Sequence, residues 1–158
     1  MSDVNPALKP NTPCLLRRGV QTNRLQSFVA CIADAWKPED VPSITEMRVH
    51  LADTLELDDF MLLQNGALAL QFASTKPPGS REEGPYRLSA MTDAQRNAVA
   101  NIQAAYTNYK EWLRGSDTRL DHVHLWDLVT IPRAALWPNG INLIILERQA
   151  NDITDNVR

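Results

Sequence analysis

Apolar residues recur every three or four positions along several segments of the chain, and this spacing predicts amphipathic helices. The first predicted helix runs from Thr22 or Asn23 to Trp36, and its apolar positions are Leu25, Phe28, Val29, Ile32, Ala33 and Trp36. Small residues fill in beside that face, so more than half of the helix surface is apolar. We therefore expect this helix to lie at the centre of the fold, with Cys31 as a small buried residue.

The second group of predicted helices follows directly. Ser43 and Glu46 have the spacing of a capping box, so a helix is predicted to begin at Ser43. A further helix is predicted over residues 57–63, and Asn65-Gly66 ends it, because these residues tolerate a left-handed backbone. The apolar segment 67–73 fits a helix or a strand, and we favour the helix.

The longest predicted helix runs from Thr92 to Arg114. Thr92 and Gln95 form a second capping box, and Gly115 closes the pattern. The next helix is predicted over 120–130, with Ser116 or Asp117 as its cap, and Pro138-Asn139-Gly140 predicts a turn.

Residues 141–147 have a different pattern, because they are rich in β-branched residues and apolar at nearly every position. This pattern predicts a β-strand buried on both faces. A strand needs a hydrogen-bonding partner, which residues 14–16, residues 68–70, another chain or a continuation beyond Arg158 could supply. The predicted fold class is α+β and mainly helical, with about five helices around a central N-terminal helix and a small β-sheet that includes the strand 141–147.

Composition and the distribution of proline set the expected domain organisation. The chain has 158 residues, of which 44% are apolar and 22% charged, as in ordinary soluble globular domains. Three prolines predict an extended N-terminal arm over 1–13, and the Pro- and Gly-containing stretch 74–87 predicts a mobile loop. We expect a single globular domain over 14–158, either complete or the N-terminal part of a longer protein. Neither a signal peptide nor a membrane-spanning run is apparent, so we expect a soluble, intracellular protein.

Charge is distributed unevenly and suggests where a partner binds. The net charge of −3 argues against a strongly basic, non-specific nucleic-acid binder. Residues 1–36 nevertheless carry four basic and two acidic side chains, whereas residues 37–73 carry two basic and seven acidic ones. Two adjacent arginines are costly to bury. We therefore predict that Arg17, Arg18 and Arg24 bind a partner protein or nucleic acid.

Candidate chemistry is sparse. The one His/Asp cluster comprises Asp121, His122, His124 and Asp127, which we interpret as solvated or capping side chains; a metal site needs three or four convergent ligands. A metal-dependent nuclease is the alternative, although Arg148-Gln149 follows Glu147 where a lysine would be needed. Cys14 and Cys31 match no zinc spacing, and we expect reduced thiols, with a disulfide as the alternative. We therefore expect no catalytic residues, no metal ligands and no cofactor.

Three groups of residues together resemble a viral protein family. They are 14–20 with 26–34; Leu62-Leu63-Gln64-Asn65-Gly66; and 124–129 with 138–147 and 151–157. These strings resemble a segment of a large protein of nucleocytoplasmic large DNA viruses, related to the large subunit of the poxvirus early transcription factor. In such proteins the strand and the run after it continue into further strands, whereas this chain stops at Arg158.

The resemblance implies a non-enzymatic module of viral transcription initiation that binds promoter duplex DNA or docks the viral RNA polymerase. It also implies a location in the cytoplasm or viral factory of the infected host cell, with packaging in the virion as a further expectation. The alternative function is a virion structural or assembly protein, whose proline-rich arm and strand edge contact other viral proteins. We expect no membrane partner.

Overall fold

The computed structural model describes residues 19–73 and 91–145, and its regular secondary structure there is helical. The helices are α1 (Ser27–Trp36), α2 (Ile44–Asp53), α3 (Leu57–Leu62), α4 (Ala67–Gln71), α5 (Asp93–Arg114) and α6 (His122–Thr130), with a 3₁₀ turn, Leu63–Gly66, between α3 and α4. The predicted arm 1–13 and the predicted loop 74–87 lie outside the described residues, as does Cys14.

The longest helix, α5, occupies the middle of the bundle. It contacts α2, α3 and α4, and it buries Ala105, Tyr109 and Leu113. Helix α1 packs on α2 instead, with Val29 and Ala33 fully buried. The main helical core therefore forms around α5. The prediction that the N-terminal helix is central is wrong, because α1 has its main contact with α2.

The predicted β-strand 141–147 is wrong over residues 141–145, which form no strand. The Ile141 N–H donates to the Thr130 carbonyl at 3.2 Å, and Ile144 is 81% exposed, although Leu143 packs against the core. A lone extended segment leaves its backbone groups without a ladder, and no strand lies within 19–73 or 91–145 to supply one. The fold is therefore mainly helical, without the predicted sheet in its described part; residues 146–147 lie outside that part.

Both predicted capping boxes are confirmed. The Ser43 hydroxyl accepts from the Glu46 N–H at 3.2 Å, and the Glu46 carboxylate accepts from the Ser43 N–H at 2.8 Å. Thr92 and Gln95 repeat this exchange at 3.3 and 2.9 Å. These contacts span three residues, so the sequence spacing alone determines them.

The predicted starts of α1 and α6 are wrong, because local side chains redirect the backbone. Before α1, the Asn23 side chain accepts from the Leu25 and Gln26 N–H groups at 2.9 and 3.0 Å, and the helix begins only at Ser27. Before α6, the cap is Asp121 rather than Ser116 or Asp117.

Gln26 joins α1 to the irregular segment between α5 and α6. Gln26 is 2% exposed, and the two N–H groups of its Nε2 are shared among three carbonyls of that segment, those of Gly115, Ser116 and Thr118, at 2.9, 3.0 and 2.9 Å. Carbonyls in an irregular segment have no N–H donors from a regular helix or sheet, so the Gln26 amide supplies donors that the backbone lacks.

Two arginines are buried and differ in their partners. Arg133 is 6% exposed, and it donates from Nε to Asp59 at 3.0 Å and from Nη2 to the Thr54 carbonyl at 2.6 Å. It thereby links the segment after α6 to α2 and α3. Arg48 is also 6% exposed, but its one hydrogen bond within the described residues is with Thr45 at 3.3 Å.

Candidate functional site

The predicted binding arginines are only partly described. Arg24 is exposed and lies just before α1, whereas Arg17 and Arg18 lie outside the described residues. Their grouping into one basic site therefore stays a prediction.

The Asp121–His124 pair is a capping contact at the start of α6. His124 Nδ1 donates to Asp121 Oδ1 at 2.7 Å, and Arg119 Nε donates to Oδ2 at 2.7 Å. Partial burial raises the pKa of Asp121, but the hydrogen bonds from His124 and Arg119 outweigh it and hold the pKa below its usual range. Nowhere in 19–73 or 91–145 do three or more His, Cys, Asp or Glu side chains group as a metal site would require.

Cys31 is exposed, so the expectation that it is buried is wrong. Its neighbours Val29, Ala30, Ile32 and Ala33 are buried, whereas Cys31 lies on the exposed side of α1. Partial burial raises the pKa of Cys31, and the charge of Asp34 raises it further. The thiol is therefore protonated at neutral pH, which makes it a weak nucleophile.

Asp127 does something that the sequence pattern did not indicate: it holds a left-handed turn. Gln64 and Asn65 have φ angles of 49° and 54°, and Gly66 follows at 82°. The left-handed region costs an ordinary residue about 1–2 kcal/mol. Asp127 Oδ2 accepts from the Gln64 N–H at 2.7 Å, and the Ala67 N–H donates to the Gln64 carbonyl. The predicted tolerance of Asn65-Gly66 for this conformation is confirmed, and Gln64 extends it.

Large apolar side chains flank this contact on both elements. Leu62, two residues before Gln64, is 71% exposed, while on α6 Val123 and Trp126 are 63% and 40% exposed. Residues three apart on a helix share a face, so Val123 and Trp126 are neighbours. We call Leu62, Val123 and Trp126, with the turn that Asp127 holds, the α3–α6 surface.

Buried leucines on the same two segments anchor the α3–α6 surface to the core. Leu63 is 1% exposed, and Leu125 and Leu128 are completely buried. Single exposed apolar residues are common in proteins, whereas several on two joined elements are typical of interaction sites. This surface is therefore the strongest candidate for a functional site in the described part of the chain.

A cavity of about 540 Å³ lies between residues 19–21, α1 and the start of α2. Its polar lining includes Ser43 and Glu46, which are hydrogen-bonded to each other in the cap of α2. These groups are already engaged in helix stability, so the cavity is a weaker candidate than the α3–α6 surface.

Asp127→Ala is expected to lower the free energy of unfolding by about 2 kcal/mol, because the Gln64 N–H loses a charged acceptor. Amide exchange at Gln64 should accelerate about tenfold, measured by hydrogen exchange. Asp117→Ala is the matched control, since this exposed carboxylate caps no helix, and its effect should stay within about 0.5 kcal/mol. Equal exchange at Gln64 in both variants would show that Asp127 does not hold the turn.

Comparisons with known proteins give no family for this chain. No protein-family model, no curated protein and no solved structure matches it. Among the described residues, every helix is too short or too polar to cross a bilayer. The viral resemblance therefore stays a prediction.

Proposed function

We propose that this chain is a non-enzymatic module that docks another protein through the α3–α6 surface. Following the resemblance, the partner is a viral RNA polymerase at transcription initiation. The observation that supports this proposal is the exposure of Leu62 on α3 and of Val123 and Trp126 on α6. The Asp127–Gln64 hydrogen bond links α6 to the 3₁₀ turn that directly follows Leu62.

The energetics of docking favour such a surface. Fully burying a side chain of this kind contributes about 1.5–3 kcal/mol, and partly exposed ones contribute a fraction of that. Tryptophan is among the residues that most often dominate binding energy in interfaces. Because Asp127 fixes the turn before any partner arrives, little conformational entropy is lost on docking.

Protein docking is favoured over the binding of promoter DNA. The section that contains α2 and α3 carries seven acidic residues, and exposed ones include Glu46, Glu56 and Asp58. Exposed carboxylates repel the phosphate backbone of DNA. Arg24 is the one predicted basic contact within the described residues, and it lies at the start of α1.

The binding partner in the test is immobilised RNA polymerase, purified from a nucleocytoplasmic large DNA virus. Trp126→Ala is expected to raise the Kd for this polymerase about 30-fold, because an aromatic anchor is lost. Biolayer interferometry gives the Kd, and circular dichroism checks that the melting temperature is kept. Val49→Ala is the matched control, since Val49 on α2 is also 40% exposed, and it should leave the Kd unchanged.

Two results would contradict polymerase docking. One is the absence of binding by the unaltered chain, and the other is an unchanged Kd for Trp126→Ala. Light scattering tests the assembly alternative: concentration-dependent oligomers that Trp126→Ala abolishes would assign the surface to contacts between copies of the chain.

A further inference from the structure

We infer that the segment bound by the α3–α6 surface is a basic, amphipathic helix of the partner protein. This inference rests on the proposed docking function and specifies the chemistry of the docked segment.

One acidic side chain shares the face of Leu62 on α3, and a second directly precedes that helix. Asp58 is four residues before Leu62 and three before Met61, so the three share one face of α3. All three are exposed, and so is Glu56, which precedes the helix. The partner therefore meets apolar side chains and carboxylates together.

These carboxylates differ from the acidic residues nearby. Asp53 forms a salt bridge with Arg114, and Asp59 forms one with Arg133. Glu56 and Asp58 form no salt bridge within residues 19–73 and 91–145. The acidic groups beside Leu62 thus keep their charge available for a partner.

The basic residues of the same section do little to offset this charge. Arg48 is buried inside the bundle, and Lys37 Nζ lies 4.2 Å from the centre of the Trp36 ring. A partner segment with lysine or arginine beside its apolar anchors complements this surface, since opposite charge speeds encounter and selects among partners.

A helix is the form of segment that fits. One way in which an extended segment binds is by adding to the edge of a sheet, and residues 19–73 and 91–145 contain no strand that could offer such an edge. A helix presents apolar anchors three and four residues apart, which suits Leu62, Val123 and Trp126 as separate contact points on two elements.

The experiment uses the full chain and two designed, fluorescein-labelled helical peptides that share one leucine pattern. One carries lysine at its polar positions, and the other carries glutamate. Fluorescence anisotropy should detect binding of the leucine–lysine peptide only, and this binding should weaken as salt increases. The double substitution Glu56→Lys/Asp58→Lys should raise the Kd about tenfold, and Leu62→Ala should also weaken binding.

Glu39→Lys/Asp40→Lys is the matched control, because it changes the net charge equally at exposed positions between α1 and α2. Its Kd should stay within about twofold of that of the unaltered chain. An equal loss in both double variants would overturn the inference, since it would show a general attraction to negative charge. Equal binding of both peptides, or an unchanged Kd for Leu62→Ala, would overturn it as well.

Failure of this inference can be told apart from failure of the proposed function. Binding of polymerase without binding of the leucine–lysine peptide would overturn the basic helix and keep the docking function. Peptide binding without polymerase binding would rule out the polymerase as the partner, but would support the preference of the α3–α6 surface for a basic, amphipathic helix. If the chain self-associates and Glu56→Lys/Asp58→Lys abolishes this self-association, the basic segment belongs to a second copy of the chain. That result would overturn the inference that it belongs to a different protein.

Discussion

Gln26→Glu is expected to lower the free energy of unfolding by about 4 kcal/mol, because a carboxylate would face the three carbonyls that the amide now serves. Urea denaturation followed by circular dichroism measures this loss. The exposed Gln21→Glu makes the same chemical change two residues after Gly19, and it should cost less than about 0.5 kcal/mol.

The effect of Gln26→Glu should depend on pH in a defined direction. Burial raises the pKa of the new carboxyl group in the folded state above its unfolded value of about 4.3. The protonated carboxyl can donate one hydrogen bond, so the deficit is smallest below about pH 4 and grows as the pH rises through that value. A deficit that is the same at acid and neutral pH would contradict the charge mechanism.

Asp59→Ala is expected to lower the free energy of unfolding by about 3 kcal/mol, because the Arg133 guanidinium stays buried without its carboxylate. Asp58→Ala, one residue earlier and exposed, should stay within about 0.5 kcal/mol. Chemical denaturation of both variants gives the comparison.

A double-mutant cycle tests whether the loss comes from the unpaired charge. Arg133→Met removes the buried guanidinium, so adding it to Asp59→Ala should recover more than about 1 kcal/mol relative to Asp59→Ala alone. Strictly additive losses would show that Asp59 and Arg133 act independently, and would contradict the assigned salt bridge.

The features that the sequence predicted correctly are those that depend on near neighbours. The capping boxes at Ser43 and Thr92 and the left-handed residues at Asn65-Gly66 each involve a few consecutive positions. Their energies are determined within one turn of chain, so the pattern of residue types identifies them before tertiary structure is known.

The errors arose where distant parts of the chain compete. Residues 141–145 have strand-forming side chains, but a strand exists only where a second one pairs with it. The exposure of Cys31 depends on which face of α1 meets α2. Both outcomes are properties of packing, which periodicity along one segment does not determine.

The candidate site could be predicted only in part for the same reason. The segments that contain Gln64 and Asp127 both belong to the viral resemblance, but the hydrogen bond between them joins residues 63 positions apart. The exposure of Leu62 and Trp126 likewise follows from how α3 and α6 pack. The one signal of this contact in the sequence is the position of Asp127, a charged residue between the apolar pairs 125–126 and 128–129.

Asp127 and Trp126 are adjacent on α6 but differ in role, and this difference predicts how related chains should vary. Asp127 stabilises the fold, since its carboxylate accepts a hydrogen bond from the Gln64 N–H whatever the chain binds. In the proposed docking function, Trp126, Val123 and Leu62 contact the partner, and their exposed parts contribute little to the stability of the folded chain alone. In descendants of this protein that change partners, position 127 should stay acidic while its neighbour at 126 drifts.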